Sequence, residues 1–546
     1  MRVSIGQDVI HLKTPTRLID IPQVMDHQPV MALVNNRLRE LHYVIDEDAT
    51  IESLNLTHPE TIFAYEASLR YLVAMAFKQA LPEVSYKFNY SISRSTFCHL
   101  LTIPKGLTLA KVMRIIEQKM REIVALDLPI ERLEWSTEKT RIFYEQEGYT
   151  DKLESLTYRP EESVHLYQTG DYKNYMYHLM VASTGVLKAF NLVMYPPGFL
   201  IQYPRAETNG KIPPFEDAPI FSRVLKDANR WSERIEAQTI AQINTYVEEK
   251  KTAEFVQMNE SKHNQLIAEL GHTIEKNRDD IRLIAIAGPS SSGKTTFSTR
   301  LRIELLTQGL KPVMISLDDY YLDREQILPN EDGIVDLEHI ETLDIPLLNQ
   351  NLRDLINGEE VLLPLFDFHM KRRKGYRKIQ VAQNQPIMIE GIHALNDRLT
   401  SLIPKSQKYK IFIAPMLQIN LDFHNPISLT NLRLLRRIVR DQKYRNSPAE
   451  KTIAMWDSVR KGEFKWIYPH QEDADFIFNS GLLYEFGVLK HHAMASLETI
   501  DRKSPFFITA NRLIKFLKYF KAIDPKHVPC NSLLREFIGE SCFEFE

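Results

Sequence analysis

Cysteine is scarce in this chain: three in 546 residues, Cys98, Cys530 and Cys542, with no C-x-x-C pair. That count argues against a disulfide framework and against a cysteine-rich zinc site, and it fits a reducing compartment. No run of about 18 apolar residues occurs, so no membrane-spanning helix is expected. The opening MRVSIGQDVIHL lacks a charged segment followed by a long apolar one, and the resulting expectation is a cytoplasmic protein with no membrane partner. Net charge is only −3, which excludes a global field drawing the chain to nucleic acid or anionic lipid and leaves a local basic patch open. What is present is ordinary for a soluble globular protein, 44% hydrophobic and 25% charged residues. The length exceeds what one core fills, and at ~150 residues per domain it suggests three or four domains.

The most informative stretch lies near the middle, IRLIAIAGPSSSGKTT from Ile281 to Thr296. An apolar run gives way to Gly288-Pro-Ser290-Ser291-Ser292-Gly293-Lys294-Thr295-Thr296 and then to a helical pattern, the strand–loop–helix grammar G-x-x-x-x-G-K-[ST] of a phosphate-binding P-loop. Gly288 and Gly293 let the backbone turn and bring its N–H groups to phosphate oxygens where a side chain would obstruct. The helix that follows points its positive end at the same anion. Lys294 is placed to reach the β- and γ-phosphates, and the Thr295 hydroxyl to ligate a bridging magnesium.

Downstream, a strand at Pro312–Leu317 ends in Asp318-Asp319-Tyr320-Tyr321, and another at Gln385–Ile389 ends in Glu390. Acids at the carboxyl ends of parallel strands beside a P-loop can reach metal and substrate. A buried run, Tyr409–Ile413, extends the sheet. The segment LTNLRLLRRIVRD, Leu429 to Asp441, carries Arg433, Arg436, Arg437 and Arg440 at spacings of three and four, so some share a helix face. Alone, such a helix reads as solvated surface; behind a P-loop and two acidic strand ends it reads as a phosphate-clamping lid. Residues 216 to 278 show apolar residues at helical spacing and are expected to form several connecting helices. The tail, residues 505 to 546, has helical spacing in Leu513, Ile514, Leu517 and Phe520, and carries no motif that converts into chemistry.

Taken together, AGPSSSGKTT, SLDDYY, VDLEHIETLD, LPLFDFHMKRR, IEGIHAL and LRRIVRDQKYR, in that order, resemble the uridine kinase/phosphoribulokinase family, and most its uridine–cytidine kinases. The resemblance implies ATP, with GTP as an alternative donor, and Mg2+. It places Asp318 on the carboxylate that holds magnesium and accepts the substrate's 5′-hydroxyl proton, with Asp319 one register step away as its rival. It places Tyr321 on an aromatic of the nucleoside pocket, Glu338 on the acid that holds ribose hydroxyls, and Glu390 on the metal-linked acid. Arg437, Arg440 and Arg445 fall on lid arginines that touch substrate and phosphates. Two positions usually aromatic in the nucleoside pocket carry Leu337 and Phe366, and the position of a base-reading histidine is nearest Lys371. Such a change at a base edge alters discrimination strongly. A sugar or sugar phosphate gripped by Lys371, Arg372 and Arg373 is therefore the alternative acceptor to uridine or cytidine.

The front half carries a second resemblance. PVMALVNNRLRELHYVIDEDATIESL is similar to the TGS β-grasp module of threonyl-tRNA synthetases. The helix Phe63–Leu81, and LYQTGDYKNYMYHLMVASTGVLKAFNLV with its Gly170-Asp171 and Ser183-Thr184-Gly185, resemble the second additional (editing) domain of threonyl- and alanyl-tRNA synthetases. That family's metal ligands fall here on Tyr65, Leu69, Met176 and Met180. None supplies an imidazole or thiolate, so zinc and editing hydrolysis are not expected. His99 and His178 are the residual candidate ligands, for which a backbone-satisfied imidazole is the simpler reading.

The expected organisation is multidomain α/β and α+β: a TGS-like β-grasp domain over 1–60, a synthetase editing-like α+β domain over 61–215, a helical connector over 216–278, a P-loop kinase-like domain with a parallel sheet flanked by helices over 279–500, and a helical tail over 501–546. The expected activity is phosphoryl transfer to the 5′-hydroxyl of a nucleoside. The alternatives are another small hydroxyl acceptor, or an RNA-associated regulatory protein. A homo-oligomer is expected; tRNA is an open partner of the front half, not the expected one.

Overall fold

The computed structural model describes residues 1–90, 92–327, 338–367, 370 and 372–544.

 That is the whole chain apart from positions 91, 328–337, 368–369, 371 and 545–546. The expectations for Leu337 and Lys371 therefore lie outside the described residues.

The first residues build a five-stranded sheet. Arg2–Ile5 pairs antiparallel with Asp8–His11 and parallel with Ala49–Leu54, which pairs antiparallel with Met31–Val34, itself paired with Arg37–Arg39. Asn35 and Asn36, at φ +48° and +59°, close the last hairpin. Asparagine tolerates this left-handed conformation, and two such residues in succession match the strand twist. Val3, Ile5, Leu18 and Ile51 fill the small core beneath.

The helix Pro59–Ala80 follows and is buried almost all round, in keeping with its apolar and small residues on every face. Beside it runs a four-stranded antiparallel sheet of Tyr86–Tyr90, Thr96–Leu100, Gly198–Gln202 and Asn191–Tyr195. Tyr65, Leu69, Met176 and Met180 are all buried in one apolar core. The Tyr65 hydroxyl accepts from Ala189 N at 3.0 Å and donates to Ala189 O at 3.1 Å, so its polar end is satisfied by backbone. His178 stacks on Phe63 with ring centroids 5.1 Å apart, and burial holds its imidazole well below the usual range. Burial, then Lys87, push His99 down to about 4. Both imidazoles are neutral packing groups at neutral pH.

Three helices, Pro219–Arg234, Ile240–Glu248 and Thr252–Lys276, lead into the C-terminal half. Its centre is a parallel sheet of β1 (Leu283–Ala287), β2 (Val313–Ser316), β3 (Ile387–Glu390), β4 (Lys408–Ala414) and β5 (Phe476–Asn479), in spatial order β2-β3-β1-β4-β5. β1, β3 and β4 read as continuous buried runs because helices cover both faces. The main helices are α1 (Lys294–Thr307), α2 (Leu429–Arg445), α3 (Ala449–Trp466) and α4 (Phe507–Lys518). Parallel strands bring their carboxyl ends to one edge, so Gly288, Asp318 and Glu390 arrive together there.

The two halves interlock. Residues 420–427, between β4 and α2, insert into the front half. Lys152 Nζ meets Asp422 Oδ1 at 2.9 Å, with neither side chain more than 1% exposed. His424 stacks on Tyr86, and Asn420 Nδ2 donates to Phe88 O at 2.8 Å. The front half thus grips the segment that launches the arginine-rich helix.

Candidate active site

The turn after β1 is a cradle with no room for side chains. A Cβ on Gly288 would strike the Ile413 carbonyl of β4, and one on Gly293, at φ +91°, would strike Leu533. Ser291 adopts φ +59°, a conformation a non-glycine residue holds only when its surroundings enforce it. Ser291 Oγ, Ser292 Oγ and Thr296 Oγ1 are buried with no hydrogen-bond partner among the described residues. Unpaired buried donors over a glycine-lined turn suit a polyanionic ligand. Lys294 Nζ, half-buried, lies back on the loop carbonyls of Gly288 at 3.1 Å and Pro289 at 3.4 Å.

Arginines of α2 brace this loop from beneath. Arg433 Nε donates to Ser290 O at 3.1 Å, and its guanidinium is paired with buried Glu463. Arg436, fully buried, makes a two-pronged ion pair with Glu485 at 2.6 and 2.9 Å. It also donates to Ser291 O at 3.3 Å and Ser292 O at 3.4 Å. Arg437 Nη1 reaches Ser290 Oγ at 3.0 Å. Arg437, Arg440 and Arg445 share one buried carboxylate, Asp441, at 3.3, 3.1 and 3.4 Å. Three cations around one anion leave an excess of positive charge at the edge of the cradle, suited to phosphate. Burial lowers the Arg437 and Arg445 guanidinium values, each also pushed down by Arg440.

The acids face Lys294 from the strand ends. Asp318 is exposed, and the protein packed around it raises its carboxyl; Lys294 opposes that rise and Asp319 adds to it. Burial pushes Glu390 up to about 7, with Lys294 opposing and Asp318 and Glu536 adding. Lys294, Asp318 and Glu390 therefore lie within one another's fields. Asp319 turns elsewhere: its Oδ1 accepts from Phe366 N at 3.2 Å and pins the hairpin of Val361–Asp367 and Arg372–Ile379. Among the described residues no group of three or more His, Cys, Asp or Glu converges as a metal cage. A magnesium held by Thr295, Asp318 and Glu390 would complete its shell with phosphate oxygens and water, as this hard, strongly hydrated ion does.

Beside Asp318 stands an aromatic wall, Tyr321 and Phe366, with ring centroids 5.8 Å apart. Burial, then Asp318 and Glu338, raise the Tyr321 phenol well above its usual range, so Glu338 borders the same space. Glu338 is backed by Gly462 of α3, where a Cβ would collide with its side chain. Arg373 is occupied: its guanidinium pairs with Asp344 at 2.8 Å and its N–H donates to Asp323 at 2.8 Å.

Comparison with known proteins bears on this geometry. The family model described as "Phosphoribulokinase / Uridine kinase family" matches residues 283–483, from β1 through α2 and α3 to just past β5. A uridine kinase of Staphylococcus aureus is 30% identical over 200 residues, covering 36% of this chain and 87% of that protein. The uridine kinase of Brevibacillus brevis is 29% identical over 201 residues (36% and 85%), and that of Ureaplasma urealyticum 27% over 194 residues (35% and 85%). This chain belongs to the phosphoribulokinase/uridine kinase family. It is a phosphotransferase, and the residues it shares with these relatives make up 36% of its length.

Several residues of the kinase site escape sequence reasoning. The arginine pattern marks α2 but not which arginines turn inward, and Arg433 and Arg436 prove to be supports of the loop. Their partners Glu463 and Glu485 lie 30 and 49 residues further on. Glu536, from the tail, reaches the first turn of α1, where it accepts from Thr296 N at 3.0 Å. No local signal in the tail announces that contact.

Proposed function

We propose that the kinase transfers the γ-phosphoryl group of ATP to the 5′-hydroxyl of a pyrimidine nucleoside, with Mg2+. The observation that supports the reading is that Asp318 lies within the field of Lys294 of the phosphate cradle and in turn acts on Tyr321, whose ring neighbours Phe366. A flat base suits that wall, and an acid beside it is placed to take the proton of an incoming hydroxyl. On this reading the loop amides, Ser290, Ser291, Ser292 and Thr296 hold the donor phosphates, and Lys294 turns from its loop carbonyls toward the γ-phosphate. Arg437, Arg440 and Arg445 close over the transferring group, and Glu338 holds the ribose hydroxyls. Thr295, Asp318 and Glu390 hold magnesium, which neutralises charge on the donor phosphates when bound. Protonated Glu390 cannot ligate the ion, so binding releases its proton. The competing acceptor, a sugar phosphate gripped by the basic run, loses Arg373 to its ion pair with Asp344.

For the front half we propose the division anticipated above: a TGS-like unit over 1–60, a synthetase editing-like unit over 61–215 and a connector over 216–278, acting as a scaffold. Support comes from the side chains at the former metal positions, which pack as core, and from the buried loop 420–427.

The test is a panel of nucleosides, sugars and sugar phosphates offered with ATP and with GTP, scored by release of the nucleoside diphosphate. Turnover of uridine or cytidine above all other acceptors is expected. Turnover of a sugar or sugar phosphate in preference to every nucleoside would refute the acceptor assignment.

A further inference from the structure

The C-terminal segment is built into the cradle. Leu533, Leu534, Phe537 and Ile538 are buried, so residues 533–538 are part of the core rather than a loose end. Leu533 fills the space that a side chain on Gly293 would need. The Phe537 ring lies 5.1 Å from the Arg436 guanidinium, and Lys443 Nζ donates to Ile538 O at 2.7 Å. Held between these anchors, half-buried Glu536 accepts from the backbone N–H of Thr296 at 3.0 Å.

That N–H belongs to the first turn of α1, whose amides have no partner within the helix and are the donors a phosphate would take. The Thr296 hydroxyl beside it is buried and has no partner among the described residues. A carboxylate here puts a negative charge where the cradle is built to receive one. It also acts on Glu390, whose carboxyl it helps push up. Because its neighbours on both sides are core, rotation of one side chain frees the amide without unpacking the tail.

We propose that Glu536 is an intramolecular competitor for the donor nucleotide, holding the Thr296 amide against a donor phosphate and so setting donor affinity. The proposal rests on the reading of residues 288–296 as the donor cradle. A purely structural role for Glu536 as a cap of α1 makes the opposite prediction, since losing a cap loosens the turn that binds the nucleotide.

Calorimetric titration of ADP and ATP into the full chain and its Glu536→Ala and Glu536→Gln variants tests it. Removing the charged acceptor should tighten binding about tenfold in Glu536→Ala, as expected for loss of a charge-assisted hydrogen bond. The gain should be smaller in Glu536→Gln, which keeps an acceptor without the charge. Glu536→Gln also preserves side-chain volume, and thermal unfolding of each variant establishes that it is folded. Wild-type binding with unchanged or weaker affinity in both variants would overturn the competitor role and leave the donor site standing. Failure of wild type and variants alike to bind ADP, ATP or GTP would overturn the donor-site reading and this inference with it.

Discussion

Replacing Arg436 by methionine separates what holds the phosphate loop from what touches a ligand. The guanidinium is fully buried, pairs with Glu485 at 2.6 and 2.9 Å, and donates to Ser480 O at 2.8 Å. It also donates to the carbonyls of Ser291 and Ser292. Methionine fills much of the volume but strands Glu485, whose carboxyl burial already raises and Arg436 holds down. Removing one partner of such a buried pair costs about 3–5 kcal/mol. With a urea slope of about 2–3 kcal/mol/M, the unfolding midpoint should fall by roughly 1.5 M. Trp456 and Trp466 on α3 make intrinsic fluorescence a probe of this half. The double variant Arg436→Met/Glu485→Leu removes both charges and should recover most of the stability. It does not restore the contacts to the Ser291 and Ser292 carbonyls, so ADP affinity, by titration calorimetry, should stay at least tenfold below wild type. Recovery of affinity together with stability would refute the bracing role, as would a loss below about 1 kcal/mol in the single variant.

Three further outcomes follow from the charges. Glu390 has its carboxyl at about 7, above the ordinary carboxylate range, so between those values the folded chain holds a proton that the unfolded chain releases. Stability without metal should therefore fall as pH rises through that window, and magnesium affinity should fall up to tenfold per unit of acidification below about pH 7. Magnesium titrations at pH 6 and 8 check this, and Glu390→Gln should flatten the dependence. Lys152→Met should strand Asp422 in the interlock and lower stability by about 3–5 kcal/mol, measured by urea unfolding; an effect under 1 kcal/mol would mean that the loop 420–427 is held by its other contacts.

What the sequence shows and what it hides divide along the range of the interactions. The cradle is contiguous, so Gly288, Gly293 and Lys294 are legible as a pattern, and β1 and α1 bracket them as the pattern requires. Strand ends are legible too, since an apolar run that stops at Asp318 or Glu390 marks a carboxyl edge. In sequence only the register of the resemblance ranks Asp318 above Asp319; the backbone N–H of Phe366, 47 residues away, is what turns Asp319 aside. The spacing of the arginines in α2 gives a helix but not its rotation, because arginines occupy more than one of its faces. Burial of Glu463 and Glu485 decides which of them serve as supports. Glu536 approaches from 240 residues beyond Thr296, in a tail whose local pattern is only helical and apolar.

The most direct measurement compares Asp318→Asn with Asp319→Asn in single-turnover phosphorylation of the acceptor that the panel selects, with ADP affinity measured in the absence of magnesium as a control for folding of the cradle. The account predicts a loss of about 10²–10⁴-fold in the rate for Asp318→Asn with ADP affinity retained, and a much smaller loss for Asp319→Asn. Near-wild-type transfer by Asp318→Asn, or the larger loss in Asp319→Asn, would contradict it.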